Sequence, residues 1–185
     1  LPDVIWLCRE IEATRPFFIE DPLLCENPNS FKTLRPRVHV PLAAGEQFSS
    51  KWEFRELIEE EWIDYARIDL CIAGGITEAR KIAGWCETHY IKLAVHNPLG
   101  PVSSAACLQL NMATSNFGVQ EQPRKPSEIL PDVVPVQPKW EDGYLIPTDL
   151  PGLGIEFDRE AAKKRPFQQA ELPTLHRLDG SFTNW

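Results

Sequence analysis

The chain has 185 residues, of which 43% are hydrophobic, and this is enough for one domain with a substantial core. A formal net charge of −8 argues against a nucleic-acid-binding protein, which needs a basic stripe to neutralise phosphates. No apolar run approaches the ~18 residues of a membrane-spanning helix, so we expect no membrane partner.

The cysteines indicate a reducing compartment. They are odd in number and show no C-x-x-C spacing, which is common in zinc and redox sites. We therefore predict free, mostly buried thiols in a cytoplasmic protein, and no disulfide framework. The residues concerned are Cys8, Cys25, Cys71, Cys86 and Cys107.

The predicted elements alternate between helices and strands along the first two thirds of the chain. The predicted helices cover residues 2–14, 30–34, 51–60, 77–88 and 102–113, and the predicted strands cover residues 17–19, 38–45, 63–70, 91–95 and 117–120. In helix 51–60, Trp52, Phe54, Leu57 and Ile58 are expected to be buried. One strand, one helix and two loops fit each repeat, so the pattern predicts consecutive βα units of an α/β fold.

A polar residue ends each predicted strand. These residues are Glu20, Glu46, Asp69, His96 and Glu121. In a parallel barrel the carboxyl ends of all strands meet on one face, so we expect the five side chains to share a pocket, as in an enzyme. Five units are too few for an eight-stranded barrel, which needs about 250 residues. The sequence thus predicts the C-terminal part of a larger molecule, or a chain whose partner segment is missing.

From residue 123 onward, frequent prolines interrupt regular structure. Asp142-Gly143 predicts a tight hairpin turn, and Asp158 is a candidate cap for a short helix ending near Lys164. We therefore divide the chain into a barrel part, residues 1–122, and an extended tail, residues 123–185. The tail is expected to pack back on the barrel or on a capping region.

Glu20 and Glu46 are candidate metal ligands. Two carboxylates at adjacent strand ends repel each other in a pocket of low dielectric constant unless a cation lies between them. A hard divalent ion such as Mg²⁺ prefers oxygen ligands and keeps positions open for water and substrate. The alternative is that each glutamate forms a structural ion pair with a nearby arginine or lysine.

Asp69 and His96 end neighbouring strands and could form a hydrogen-bonded pair. A carboxylate that holds an imidazole in one tautomer makes the histidine a general base; the alternative is a structural histidine.

Two further residues have open assignments. Arg67 lies two residues before Asp69 and points to the same side of the strand, where it could clamp a substrate carboxylate or pair with Glu46. Glu121 could hydrogen-bond a developing enediolate oxygen, or it could pair with Arg124 or a lysine.

Several segments together resemble the mandelate racemase branch of the enolase superfamily, and within it the sugar-acid dehydratases. They are Phe18-Ile19-Glu20-Asp21-Pro22, Ala44-Gly45-Glu46, Asp69 with Ala73-Gly74-Gly75-Ile76-Thr77, His96-Asn97-Pro98-Leu99-Gly100-Pro101 and Val119-Gln120-Glu121. The His96 loop is most similar to galactonate dehydratase. The tail, from Asp142-Gly143-Tyr144 to Asn184-Trp185, is similar to mannonate dehydratase relatives.

The resemblance implies a C-terminal portion of a modified (β/α) TIM barrel, about strands four to eight. It implies a Mg²⁺-dependent dehydratase of galactonate, gluconate or mannonate, which removes the proton α to the carboxylate and eliminates water to give a 2-keto-3-deoxy acid. Such relatives are commonly homo-oligomers. A racemase, epimerase or cycloisomerase of the same superfamily, or a non-catalytic relative or fragment, is the alternative.

The resemblance also implies roles for individual residues. Glu20 and Glu46 would be the second and third metal ligands, and Asp69 and His96 the base pair. Glu121, Arg67 and Trp185 would contact the substrate, although Trp185 could instead be a surface cap. The first metal ligand and the acid that expels the hydroxyl would lie before Leu1. Arg67 matches mannonate-type members, which lack an acid where this chain has Asp69, so the substrate stays open.

Overall fold

The predicted alternation of helices and strands is present in the computed structural model, which describes residues 1–169 and 174–183. In chain order the elements are α1 (Pro2–Ile11), β1 (Ile19–Glu20), α2 (Ser30–Leu34), β2 (Leu42–Ala44), α3 (Lys51–Glu59), β3 (Tyr65–Ala66), α4 (Gly75–Thr88), β4 (Lys92–Val95), α5 (Pro101–Met112), β5 (Phe117–Gln120), β6 (Lys139–Glu141), β7 (Tyr144–Ile146) and α6 (Arg159–Lys163). Strands β2 and β3 are much shorter than predicted, since strands over 38–45 and 63–70 were expected, whereas β5 has the predicted bounds.

The strands β1 to β5 form one parallel sheet in the order β1-β2-β3-β4-β5. Ile19 pairs with Leu42, Ala43 with Tyr65, and Ala66 with Leu93. Each strand therefore pairs with its neighbours in sequence. This sequential order is that of a barrel segment, because a doubly wound sheet reverses its order at a switch point.

The helices cover the sheet with their apolar faces. In α3, Phe54, Leu57 and Ile58 are buried as predicted, and a capping box of Ser50 and Glu53 fixes the start of the helix. The prediction for Trp52 is wrong, since its side chain is 67% exposed. At 100° per residue Trp52 lies nearly opposite Phe54 on the helix, and it is instead contacted by the ammonium group of its neighbour Lys51.

The tail contains the two local structures that its sequence predicts. Strands β6 and β7 form an antiparallel hairpin, and both turn residues, Asp142 and Gly143, have positive φ. Asp158 accepts hydrogen bonds from the backbone N–H groups of the first turn of α6. Val133 and Val134 are buried, and Gln109 of α5 donates to a tail carbonyl. The division of the chain at residue 122 stays a prediction.

The state of the cysteines and the character of the helices can be compared with the sequence predictions. All five cysteines are free; Cys8, Cys86 and Cys107 are buried, Cys25 is half-buried and Cys71 is exposed. The prediction of free, mostly buried thiols is thus confirmed. Within residues 1–169 and 174–183, no helix has the length and apolar character needed to cross a membrane.

Candidate active site

Five polar residues lie at the edge of the sheet where the parallel strands end, which we call the carboxyl edge. Glu20 is the last residue of β1, His96 follows β4 directly and Glu121 follows β5 directly. Glu46 and Asp69 lie just beyond β2 and β3. A bridge between Asp69 and His96 extends the pairing of their strands, and the Glu121 N–H donates to the Val95 carbonyl at 3.1 Å. The structure therefore places all five predicted residues side by side.

Asp69 and His96 form the predicted pair. The distance from His96 Nδ1 to Asp69 Oδ2 is 2.8 Å. The other carboxylate oxygen, Oδ1, accepts the backbone N–H groups of Cys71 at 2.7 Å and Ile72 at 3.3 Å, so the buried carboxylate cannot rotate freely. A carboxylate partner favours the tautomer in which Nδ1 donates, and His96 Nε2 faces Glu46 and Glu121 in the site, as a general base requires.

The side chain of Arg67 connects the glutamates. It is 4% exposed, and its Nε atom lies 2.5 Å from Glu20 Oε1 while Nη2 lies 2.7 Å from Glu121 Oε2. Its Nη1 atom donates to the Ala94 carbonyl at 3.0 Å. Glu46, the partner considered from the sequence, is at 3.9 Å. Arg67 is therefore mainly the counter-ion of Glu20 and Glu121, and its contact with substrate stays a prediction.

Glu20 and Glu46 form a close carboxylate pair. Burial raises the pKa of Glu46 to about 7, helped by a hydrogen bond with the Glu20 carboxyl group and by nearby negative charge. Burial and the charge of Glu20 likewise raise the pKa of Asp21 to about 6. The chemistry of these oxygen donors fits a hard divalent cation, which would relieve the repulsion. Within the described residues, no group of three or more His, Cys, Asp or Glu is arranged to hold a metal ion.

Glu121 faces the histidine from the last strand. Its Oε2 atom is 3.9 Å from His96 Nε2, and Glu46 Oε2 lies 3.5 Å from the same nitrogen. Burial alone would raise the pKa of Glu121, but the Asn97 N–H and the Arg67 guanidinium stabilise the carboxylate more strongly, so the pKa is lowered. Glu121 is thus held as a charged acceptor.

Two residues that support the site were not predicted from the sequence. Gly45 has a φ of +123°, and a Cβ there would overlap the Phe54 ring, so a glycine lets the chain turn before Glu46. Asn97 donates its backbone N–H to Glu121 Oε2 at 3.0 Å. The signal available in the sequence was its place between His96 and a proline. Trp185, the predicted third substrate contact, lies outside the described residues.

Comparisons with known proteins agree with this geometry. The family described as enolase C-terminal domain-like matches residues 1–162. A D-mannonate dehydratase of Caulobacter vibrioides is 40% identical over 97% of this chain and 45% of its own length. A D-galactonate dehydratase of Ralstonia nicotianae is 38% identical over 97% of this chain and 49% of its own length. The chain therefore spans about half the length of the curated relatives it matches.

Solved structures show the same fold. An enolase of Pantoea ananatis, crystallised with D-gluconate and Mg, has a TM-score of 0.84 and 35% identity, over 90% of this chain and 40% of its own. An enolase of Agrobacterium radiobacter, with bound Na and L-malate, has a TM-score of 0.90 and 30% identity, over 97% of this chain and 49% of its own. The five-stranded sheet is accordingly the C-terminal portion of a TIM barrel, as the sequence predicts, and the chain belongs to the enolase C-terminal domain-like family.

Proposed function

We propose that the complete protein is a Mg²⁺-dependent dehydratase of a sugar acid of the galactonate, gluconate or mannonate type. The observation that carries the proposal is the His96–Asp69 pair at 2.8 Å, with its free nitrogen facing two glutamates at 3.5 and 3.9 Å. Support for the substrate class comes from relatives named mannonate and galactonate dehydratases. Those names favour dehydration over racemisation or cycloisomerisation.

His96 is the proposed general base. Its Nε2 atom takes the proton α to the substrate carboxylate, and Asp69 retains the Nδ1–H bond and stabilises the imidazolium that forms. Because Asp69 is itself held by two backbone N–H groups, the ring is oriented before substrate arrives. Loss of the hydroxyl group at the next carbon then gives a 2-keto-3-deoxy acid, with the acid for that step supplied from outside the described site.

Glu20 and Glu46 are the proposed metal ligands of this chain. When bound, Mg²⁺ supplies positive charge near the substrate carboxylate and so lowers the cost of removing the α-proton. The Pantoea ananatis structure, which holds Mg with D-gluconate, supports this choice of ion. Glu121 and Arg67 are the proposed substrate contacts. The Arg67 guanidinium neutralises the nearby Glu121 carboxylate and so reduces its repulsion of the anionic substrate. Trp185 remains a further proposed contact, and a homo-oligomeric, cytoplasmic enzyme is the expected form.

The test is a screen of the complete protein with Mg²⁺ against a library of acid sugars, with detection of the 2-keto acid. We expect product from at least one of galactonate, gluconate and mannonate. Exchange of the α-proton in D₂O without keto-acid product would overturn dehydration in favour of racemisation. Neither exchange nor product from any acid sugar would overturn catalysis altogether.

A further inference from the structure

Asn97 joins three parts of the molecule behind the carboxyl edge. The residue is 1% exposed, and its Nδ2 atom lies 2.8 Å from Ser104 Oγ in α5, 3.2 Å from the Glu121 carbonyl oxygen and 3.3 Å from Gln122 Oε1. An amide NH₂ group has two hydrogens, so three acceptors use its full donor capacity. We propose that Asn97 is a positioning residue for Glu121, an inference that rests on the proposed function.

The backbone of Glu121 depends on Asn97 because the strand ladder ends there. The N–H of Glu121 donates to the Val95 carbonyl at 3.1 Å, which anchors one side of the residue. Glu121 lies one residue beyond β5, and Pro123, two residues later, has no N–H with which to continue the ladder. The backbone carbonyl oxygen of Glu121 instead accepts a hydrogen bond from Asn97 Nδ2. The side chain of Asn97 thus replaces the next bond of the sheet.

The carboxylate of Glu121 is held by the same residue. Asn97 donates its backbone N–H to Glu121 Oε2 at 3.0 Å. That oxygen also lies 2.7 Å from Arg67 Nη2 and 3.9 Å from His96 Nε2. A displacement of about 1 Å would break the bond to Arg67 and move the charge that faces the general base; shifts of this size cost about 100-fold in rate.

The two halves of the Asn97 amide differ in their contacts. The NH₂ group has three acceptors, whereas Oδ1 is buried and has no hydrogen-bond partner among the described residues. A buried polar atom without a partner is unfavourable, so the favourable contacts of this side chain are those of its NH₂ group. Because the NH₂ group makes all the side-chain contacts of Asn97, the variants to test are those that remove it.

The chain offers a matched control at the opposite end of β5. Asn116 precedes β5, and its Nδ2 atom donates to the carbonyl oxygens of Ala83 at 3.1 Å and Ile91 at 3.0 Å. Its Oδ1 atom is also buried without a partner among the described residues. Asn116→Ala therefore removes the same kind of amide, next to the start of β5, without changing any contact of Glu121.

The first measurement is steady-state kinetics of the complete protein on its sugar acid, with thermal unfolding to give the folded fraction. Asn97→Asp keeps the shape and removes both donors, and we expect it to lower kcat about 100-fold with little change in KM. Asn97→Ala, which adds no charge, should lower kcat about 10-fold and carries the test if Asn97→Asp does not fold. Asn116→Ala should keep kcat within about twofold. Equal kcat values for Asn97→Ala and Asn116→Ala would overturn the inference.

The second measurement does not depend on activity. Backbone hydrogen exchange at Glu121 and Asn97 should be about tenfold faster in Asn97→Ala than in the unchanged protein, and unaffected by Asn116→Ala. If the protein turns over no sugar acid, the proposed function fails while the exchange data still decide the anchoring role. Unchanged exchange at Glu121 in Asn97→Ala would show that Asn97 does not position it.

Discussion

Both edges of the sheet contain an ion pair between an arginine and a carboxylate, but the two edges differ in the number of carboxylates for each cation. At the amino edge, where the strands begin, Arg35 Nη1 lies 2.8 Å from Asp64 Oδ2, and the same oxygen accepts the Leu42 N–H. One cation meets one carboxylate, and both side chains are partly solvated, at 26% and 45% exposure. This pair is complete in itself, and it fixes the starts of β2 and β3.

At the carboxyl edge one buried cation meets several acids. Arg67 contacts Glu20 and Glu121 directly and Glu46 at 3.9 Å. The pKa of Glu46 is consequently raised to about 7 by burial and by its carboxylate neighbour. Carboxyl groups with strongly shifted pKa values, in a cluster that has more acids than cations, are typical of functional sites. Charge balance, rather than the presence of an ion pair, therefore distinguishes the amino edge from the candidate site.

His96→Asn is expected to have the largest effect. Asparagine can hydrogen-bond but has no basic nitrogen, so exchange of the substrate α-proton in D₂O should fall about 1,000-fold. Metal binding should survive, because Glu20 and Glu46 are unchanged. His39, an exposed residue that precedes β2, provides the control, and His39→Asn should exchange at the normal rate. Normal exchange in His96→Asn would refute the role of His96.

Arg67→Gln should separate the two edges in stability. Removing the buried cation leaves Glu20 and Glu121 without their counter-ion and the Ala94 carbonyl without its donor; because the two carboxylates are about one third exposed, we expect a loss of about 2–3 kcal/mol. Arg35→Gln removes a partly exposed pair and should cost about 1 kcal/mol. Urea unfolding of the metal-free protein measures both. Similar losses in the free energy of unfolding would mean that the two arginines stabilise the fold to the same extent.

The positions of the site residues and the Asp69–His96 pair could be predicted from the sequence, but the partners of Arg67 could not. Apolar runs ending in a polar residue are local signals, and they located Glu20, Glu46, Asp69, His96 and Glu121 correctly at strand ends. The choice of partner for Arg67 is not local, since Glu20 is 47 residues away and Glu121 is 54 residues away. That choice depends on the register of three strands, which no short pattern encodes.

The length of β2 was overestimated for a related reason. Val38 and Val40 are buried as an apolar run predicts, but their carbonyl oxygens accept hydrogen bonds from the Arg35 guanidinium instead of from a neighbouring strand. A hydrophobic pattern indicates which residues are buried, but a strand also needs backbone hydrogen bonds with a neighbouring strand. Asn97 was missed because its contact with Glu121, 24 residues away, depends on how the ends of β4 and β5 lie side by side.

Glu46→Gln tests the acidic excess directly. The amide keeps the size of the side chain but removes a charged oxygen ligand, so affinity for Mg²⁺ or Mn²⁺ should fall about 100-fold in titration calorimetry. Asp64→Asn makes the equivalent change at the amino edge and should leave metal affinity unaltered while lowering stability. Equal metal affinities for Glu46→Gln and the unchanged protein would remove Glu46 from the ligand set.

The smallest expected effect concerns the backbone that presents Glu46. Gly45→Ala places a Cβ against the buried Phe54 ring at a φ of +123°, so we expect a loss of about 2 kcal/mol. Gly84 lies within α4 with no atom near its would-be Cβ, and Gly84→Ala should stabilise by about 0.5–1 kcal/mol. Thermal unfolding checks both signs. Because Gly45 turns the chain directly into Glu46, its replacement should also weaken metal binding, whereas Gly84→Ala should not. A stabilised Gly45→Ala protein with normal metal affinity would show that the turn does not place Glu46.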